Sequence, residues 1–575
     1  MRVILASLRH IRTACAPIRG PCGVRYRWSR PSATRLNASD RRRNEPTLAS
    51  SSTSAWAPLA ARSFRALWLA QFASNVGTWV QSVGAQWLVL DHGPTVVALV
   101  QTASTLPAFL FALPAGVLAD LADRKKLLVW SQLFMTVVAG LLALATFTGG
   151  MTPGLLLTLT FLLGCGGALV GPAWQAIQPE LVPRDQLKQA SALGAVNMNT
   201  ARAVGPALGG LLVSVAGVGW TFALNAASFV VILLALQLWR RAPQPRPSET
   251  EREHTVAAVR AGVRYLRNAP GIRRILLRAL LFVPAASALW ALLPTISAQV
   301  LHLDSGGYGL MLGALGVGAV AGALALPATA GRISGTATLM ISGTVFALVT
   351  AVLPIAPNAL VAGVVLILAG AAWIGVLSTL NAAMQLNLAG WVRARGLAFY
   401  LVVFMGSQAF GAAIWGIVAG YAGLTVTMVV AAGLLVLGAV TGLWWPLYDS
   451  NLDRTVGSGW PDPSLVLDLR PTDGPVLVQI EYRVPEDNVT DFGRAMTVVE
   501  RSRRRTGATS WGLHRDIADP ALFLETFQVP SWAEHLAQHH SRYTGADHDV
   551  LERARRLAEG EPTVRHALAA PAPVD

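Results

Sequence analysis

The sequence predicts an all-α polytopic membrane protein, about twelve transmembrane helices in two six-helix halves, with a C-terminal α+β ferredoxin-like domain. Three observations carry that expectation. Of the 575 residues, 53% are hydrophobic and only 13% charged, against about 25% charged in soluble domains. Apolar runs of bilayer-crossing length recur from Phe64 to Leu447, with basic residues in alternate loops between them. Beyond Trp445-Pro446 the hydropathy falls and a strand-like alternation begins. Topology accounts for the net charge of +15, so no nucleic-acid partner is expected. Cys15, Cys22 and Cys165 lack the spacing of a disulfide framework or a metal site.

Residues 1–60 read as a disordered basic leader. Met1 to Ala38 contain recurring arginines and no acidic residue, and a Ser/Thr/Ala/Pro-rich stretch follows to Trp56. An organelle transit peptide has this composition, but no clean amphipathic helix or cleavage pattern stands out. A start site placed too far upstream has the same appearance.

The first transporter half, 61–240, contains apolar runs near 64–90, 95–118, 127–149, 154–176, 192–216 and 219–239, each about the length of a span. The second half, 274–447, contains runs near 274–299, 306–330, 337–355, 358–388, 397–420 and 423–447, again about one span each. Arg124, Lys125, Lys126, Arg184, Lys188, Arg240, Arg241, Arg332, Arg393 and Arg395 fall in loops on one side, while the opposite loops hold Asp91, His92, His302 and Asp304. The positive-inside rule therefore places both termini in the cytoplasm of a cell (inner or plasma) membrane. The order of span, Pro172-Ala173-Trp174-Gln175-Ala176, basic loop and span is echoed from Gly370 onward by Asn381-Ala382-Ala383-Met384-Gln385, Arg393 and Arg395. In the joining segment, 241–273, Val256, Val259, Val263 and Leu266 share a helical face beside Arg260, Arg264 and Arg267. This suits an amphipathic helix on the membrane surface or a solvated linker helix.

The hairpin Gly116-Val117-Leu118-Ala119-Asp120-Leu121-Ala122-Asp123-Arg124-Lys125-Lys126 joins the second and third spans. It resembles the loop between helices 2 and 3 of major facilitator superfamily transporters, with Leu121 in place of a basic residue and Asp123 in place of glycine. Phe64–Gln71, Gln178-Pro179-Glu180-Leu181-Val182 and Arg202–Gly210 extend the resemblance, over about 60–447, to the enterobactin-exporter branch. That resemblance implies a conformational role for Gly116, Asp120, Asp123, Arg124, Lys125 and Lys126, with Asp120 contacting the facing half. The segment Gly205-Pro206-x-x-Gly209-Gly210 resembles the fifth-helix motif of exporters. Its glycines permit close helix approach and Pro206 permits bending, so these four are hinge and packing candidates.

Candidates for the transport path are polar residues within spans. Arg202 is an intramembrane charge, facing a cavity or snorkelling to the interface. Gln71, Asn75, Thr78, Ser82 and Gln86 follow helical spacing on the first span, as path or as interhelical contacts. Asn199, Asn381 and Gln385 are further candidates, with Gln101, Asn225, Asn387, Tyr400, Gln408, Trp290 and Trp415 weaker ones. No Walker A loop occurs, and no mid-span carboxylate offers a proton relay.

After a linker over 448–473, residues 474–570 read as a cytosolic domain. Val476, Val478, Ile480, Tyr482 and Val484 alternate as a strand, and Val489, Phe492, Met496 and Val499 share a helical face. Strands near 509–516 and 522–529, a helical stretch from Ser531 and a strand near 563–567 complete a βαββαβ order. It resembles the dimeric α/β-barrel domains of the antibiotic biosynthesis monooxygenase type, some relatives of which oxidise aromatic substrates. Fold alone does not license that activity, and the preferred reading is a cytosolic dimerisation or sensing module. His535, His539 and His540 share a helix but lack the residues that complete a metal motif, so they read as a solvated face and no metal or cofactor is expected.

The reading as a whole is a secondary transporter, not an enzyme, exporting a siderophore-like, drug-like or metabolic small molecule by alternating access. Its partners are that substrate, membrane lipid, a coupling proton and a second copy of the chain through the tail. The alternatives are uptake, or a membrane-tethered oxidoreductase acting through the tail.

Overall fold

The computed structural model describes residues 54–241, 255–329, 331–447, 453, 455 and 467–569. The basic leader, up to residue 53, lies outside the described residues, as does most of the 448–473 linker. The first half is built from α1 (Arg62–Leu88), α2 (Pro94–Leu121), α3 (Arg124–Phe147), α4 (Pro153–Leu181), α5 (Leu187–Ala216) and α6 (Val218–Leu238). A connecting helix α7 (Thr255–Asn268) leads to the second half: α8 (Pro270–Gln299), α9 (Ser305–Thr329), α10 (Gly335–Val352), α11 (Ala359–Asn387), α12 (Arg393–Ala422) and α13 (Leu424–Val440). Turn chemistry sets several of the boundaries. Asp123, Thr152, Ser334 and Asn358 each accept a backbone N–H at a helix start, and Gly93, Gly217 and Gly423 take the positive φ that reverses the chain before the next helix.

Among the described residues, nine helices are long and apolar enough to cross a membrane. The other three members of the bundle differ for physical reasons. α1 and α5 carry the amides and Arg202 that lower their hydropathy, and α13 has only 17 residues. Lipid-facing sides are plain: on α3, Leu133, Val137, Leu141 and Leu144 are exposed in one stripe.

The two halves meet along α2 with α12 and along α5 with α9. Thr95 Oγ1 donates to Gly416 O at 2.9 Å and Thr102 Oγ1 to Ala409 O at 3.0 Å. Between α5 and α9, Gly210 and Gly309 are so close that a Cβ on either would stand 2.9 Å from the other's Cα; only glycine allows that approach. These contacts lie in the part of the bundle away from the Asp123–Lys126 loop.

The helix α7 is packed on protein over its second half. Ala261, Tyr265 and Leu266 are buried, Tyr265 and Leu266 within the core cluster of the second half. Tyr265 meets Trp391 edge-on at 5.5 Å. Along residues 261–266 the linker helix is thus packed on protein, with Tyr265 against Trp391 in the loop after α11; the side chains of Val256 and Val259 lie outside the described ones. The C-terminal domain covers the other side. Its strands β1 (Val476–Arg483), β2 (Ser510–Arg515), β3 (Leu522–Val529) and β4 (Glu559–Leu568) form an antiparallel sheet of order β2-β3-β1-β4. That is the ferredoxin-like order, with α14 (Val489–Thr506) and α16 (Gly545–Arg555) in the crossovers and the short α15 (Trp532–Ala537) after β3.

Inside this domain Glu525 is wholly buried. It accepts from Arg503 Nε at 2.9 Å, Trp511 Nε1 at 3.0 Å and Tyr482 Oη at 3.0 Å. Such an ion costs several kcal/mol to desolvate and is tolerated because its lone pairs are filled. Glu525→Ala strands the Arg503 charge and is expected to destabilise the domain by about 3–5 kcal/mol. Urea unfolding of the detergent-solubilised chain, followed by proteolysis of the tail, measures it; Arg503→Met combined with Glu525→Leu is expected to recover most of the loss.

Candidate functional site

A cavity of about 330 Å³ opens inside the first half, between α1, α2, α4 and α6, and is reached by Leu401 and Met405 of α12. Its volume falls in the range of small-molecule sites, about 300–1,000 Å³. Most of the lining is apolar, with Gln81, Gln86, Gln101, Thr160 and Asn225 supplying polar points and no charged side chain. Small residues make the room: Gly164, Gly167, Ala168 and Gly171 of α4 face it.

The polar stripe of α1 divides in two. Gln71 Nε2 donates to Asn75 Oδ1 at 3.0 Å, Asn75 Nδ2 to Asn197 Oδ1 at 2.8 Å, and Asn197 Nδ2 to Trp68 O at 2.9 Å. This chain ties α1 to α5, so Gln71 and Asn75 are interhelical contacts and not cavity lining. About one, two and three turns further, Thr78, Ser82 and Gln86 do line the cavity, joined by Gln81. Asn225 Nδ2 donates to Gln81 Oε1 at 2.5 Å, and Tyr308 Oη, from the other half, donates to Gln86 Oε1 at 2.6 Å. Tyr308 also stacks on Trp87 at 6.0 Å. Gln81 and Tyr308 were not among the sequence candidates; a second amide beside the stripe was the available signal for Gln81, and none existed for Tyr308.

Of the seven path candidates, Gln86 lines this cavity. Arg202 is half-buried on α5, its guanidinium 5.7 Å from the Trp79 ring centre. Among the described residues its Nε has no hydrogen-bond partner and no carboxylate pairs with it, yet it is not part of the lining. Asn199 turns back to Ala195 O at 2.9 Å, while Asn381 and Gln385 are exposed on α11. In the exporter-like segment, Gly205 and Gly209 abut Trp79 and Val80 of α1, whereas Gly210 and the Pro206 carbonyl abut Gly309 of the other half. These four are packing positions in the structure.

The hairpin between α2 and α3 anchors a charge network. Asp123 caps α3 through the Lys126 N–H at 3.0 Å, and that hydrogen bond keeps its carboxyl below the ordinary carboxylate value. Arg241 Nη1 reaches Asp123 Oδ2 at 3.2 Å, and its Nε and Nη2 hold both oxygens of Glu180 at 2.7 Å. Arg124 Nη1 adds a bond to Glu180 Oε1 at 3.3 Å and to Ala176 O at 3.2 Å. Lys125 Nζ caps the end of α6 through Trp239 O at 2.5 Å. Arg124 and Lys125 thus bind protein within their own half, not lipid alone; Lys126 is exposed. The side chain of Asp120 lies outside the described ones.

At the same end of the chain's second half, the tail is clamped to α7. Arg264 Nη2 donates to Glu534 Oε2 at 3.1 Å, and Arg542 holds both oxygens of Glu534 while lying 4.9 Å over the Trp391 ring. Burial pushes the Glu534 carboxyl up, but Arg542 and Arg264 together hold it below its ordinary value. Behind this clamp, His535, His539 and His566 converge, while His540, His514 and His548 are exposed. The expected solvated face of His535, His539 and His540 is corrected accordingly: the first two point inward, because a π-wound turn at Gln538–Arg542 follows α15. His566 joins them because β4 pairs it with Val478 of β1. Burial foremost, then the neighbouring imidazoles and Arg503, pushes His535 down to about 3, and burial lowers His566 as well.

Comparison with known proteins gives a consistent result. The transmembrane secretion effector family (MFS_3) matches residues 53–573. Over 260 residues, the chain is 32% identical to the enterobactin exporter EntS of Citrobacter koseri, covering 44% of this chain and 60% of that protein. The same exporter of Shigella boydii serotype 4 is 31% identical over the same coverage. The alignment thus spans less than two thirds of these relatives. Among solved structures, the nucleoside transporter NupG (D323A mutant) superposes with a TM-score of 0.56 at 14% identity, covering 66% of this chain and 99% of its own. A bacterial homologue of the human lysosomal transporter Spinster, inward-facing and unoccupied, superposes with a TM-score of 0.54 at 14% identity, covering 67% and 97%. At these identities the likeness is one of fold.

Glu180→Gln removes the charge that holds Arg124 and Arg241 together. Because its carboxylate is almost wholly buried (4% exposed), the expected loss is about 3 kcal/mol, seen as a lower melting temperature of the purified chain in detergent. Lys126→Gln, at an exposed position, is expected to leave it unchanged.

Proposed function

Because the chain belongs to the transmembrane secretion effector family of the major facilitator superfamily, a family of multi-pass membrane transporters, we propose that it exports a small organic molecule by alternating access. The carrying observation is the uncharged 330 Å³ cavity beside contacts between the halves. These run from Thr95 with Gly416 and Thr102 with Ala409, at the end away from the basic loops, to Phe109 with Phe410 midway along α2. Positive-inside orientation assigns the Arg124–Arg184–Arg241 end and both termini to the cytoplasm. In that orientation the halves are closed toward the outside and the cavity is loaded from the cytoplasm, as export requires. The likeness to the enterobactin exporters, which covers part of those proteins, supports the same direction.

The lining narrows the substrate. Amide and hydroxyl groups on an apolar wall suit an uncharged or amphipathic drug-like or siderophore-like molecule, since a charged group there would be desolvated without a counterion. Arg202, on α5 outside the lining, is the position for an anionic group on a larger substrate. No mid-span carboxylate is found among the described residues of the spans, so a coupling proton has no fixed relay. Proton-linked export therefore carries its proton on the substrate or on a water. What weighs against the enzymatic alternative is that the cavity bounded by Arg503, His535, His539 and Tyr543 is about 10 Å³, the space of one water-sized atom and too small for an organic substrate.

Everted vesicles test this reading with a panel of siderophores and drugs, with and without a proton gradient. Expected is uptake into the everted vesicles that falls about tenfold in Gln101→Leu, the equivalent of one lost hydrogen bond, about 1.4 kcal/mol. Accumulation only in right-side-out vesicles contradicts export. Unchanged flux through well-inserted Gln101→Leu removes the cavity from the path.

A further inference from the structure

We propose that His535, His539 and His566 form a binding site for a divalent transition-metal ion of the zinc, cobalt or nickel class in the C-terminal domain. The three imidazoles come from separate elements, α15, the π-wound turn after it and β4, and each offers a ring nitrogen within 4.8 Å of the others'. The ring centres of His539 and His566 lie 4.6 and 4.9 Å from that of His535. Tetrahedral zinc with Zn–N bonds of about 2.0–2.1 Å sets its ligand nitrogens about 3.3 Å apart. Rotation of the imidazoles by a fraction of a ring width closes that difference.

A second observation points to a ligand. His535 is 1% exposed, yet neither of its ring nitrogens has a hydrogen-bond partner, and Nε2 of His566 has none either. An imidazole has a donor and an acceptor to satisfy, and a buried one that satisfies neither loses about 1–3 kcal/mol per group. Gln538 adds to the same space: its Nε2 donates to Thr506 Oγ1 at 2.9 Å, while its buried Oε1 is unpartnered. All four side chains line a cavity of about 10 Å³. That volume admits a single ion or water and nothing larger.

The donor set selects the metal. Three imidazoles and an amide oxygen, without a free carboxylate, suit zinc, cobalt or nickel and disfavour the oxygen-seeking magnesium and calcium. Arg503, which lines the same cavity, has its charge paired with the buried Glu525 at 2.9 Å, which offsets its repulsion of a cation. His535 and His539 stand four residues apart, the spacing that places two imidazoles on one face of a helix. Three protein imidazoles leave a fourth position, which the Gln538 carbonyl or a water fills. The site directly adjoins the clamp on the transporter, since Glu534 and Arg542 flank its first two ligands in sequence.

The test uses the full chain purified without a histidine tag, stripped with EDTA and titrated with Co²⁺. Expected are one ion per chain, a tetrahedral visible absorption band, and displacement of that band by Zn²⁺. His566→Gln is expected to weaken binding by on the order of 100-fold, while His540→Gln, one residue beyond the site, binds as the parent does. Unfolding curves of the stripped proteins establish that His566→Gln is folded. If it is not, X-ray absorption of the zinc-loaded parent decides, with three imidazoles at about 2.0–2.1 Å expected. No stoichiometric Co²⁺ band in the folded parent, unchanged affinity in His566→Gln, or a zinc shell with fewer than three imidazoles overturns the proposal.

Discussion

A polar side chain in the hydrocarbon layer must find its partner within the protein, since lipid offers none. The helices of this bundle are placed where those partners are. Asn75 reaches Asn197 and fixes α1 against α5; Asn225 reaches Gln81 and fixes α6 against α1; Tyr308 reaches Gln86 and joins the second half to the first. Each bond is worth only about 1 kcal/mol in a membrane, but each also forbids sliding that would leave an amide unsatisfied. Glycine supplies the complementary constraint. Where α5 meets α9 at Gly210 and Gly309 the backbones touch, so the join between halves there depends on shape more than on polarity.

At the basic end a different set of forces acts. Glu180 gathers Arg124 and Arg241, and Lys125 closes the end of α6, binding the first half into one body. In the second half, Arg264, Glu534, Arg542 and Trp391 bind α7 and the tail into another. Both networks lie within or beside one half, and neither bridges the two. Under the proposed alternating access, this arrangement lets one half rock against the other while remaining rigid itself, and the tail, clamped to the second half, moves with it.

Much of this fold was legible from hydropathy and charge. The spans, the hairpin around Asp123 and the strand order of the tail follow from run length, loop charge and alternation. The candidate site was legible only in part. The stripe from Gln71 to Gln86 announces a polar face, but whether a given amide is contact or lining depends on what faces it, and Asn197 lies more than 120 residues from Asn75. Arg202 announces itself by charge alone, which says nothing of its direction. Glu180 looked like part of a loop motif, because its partners, Arg124 and Arg241, are distant in sequence. The histidine cluster was hidden for a similar reason. His566 reaches His535 only through the register of β4 on β1, and a π-turn decides that His539 points in while His540 points out.

The central claim is that the cavity of the first half is open to one side of the membrane at a time, and to the cytoplasm in the state described. A single cysteine at Ser104, which lines the cavity, in a chain lacking Cys15, Cys22 and Cys165, measures this directly. Labelling by a membrane-impermeant maleimide is compared in everted and right-side-out vesicles. The account predicts rapid labelling from the cytoplasmic face and little from the outside in resting vesicles. Labelling chiefly from the outside, or from neither face in correctly inserted protein, contradicts it.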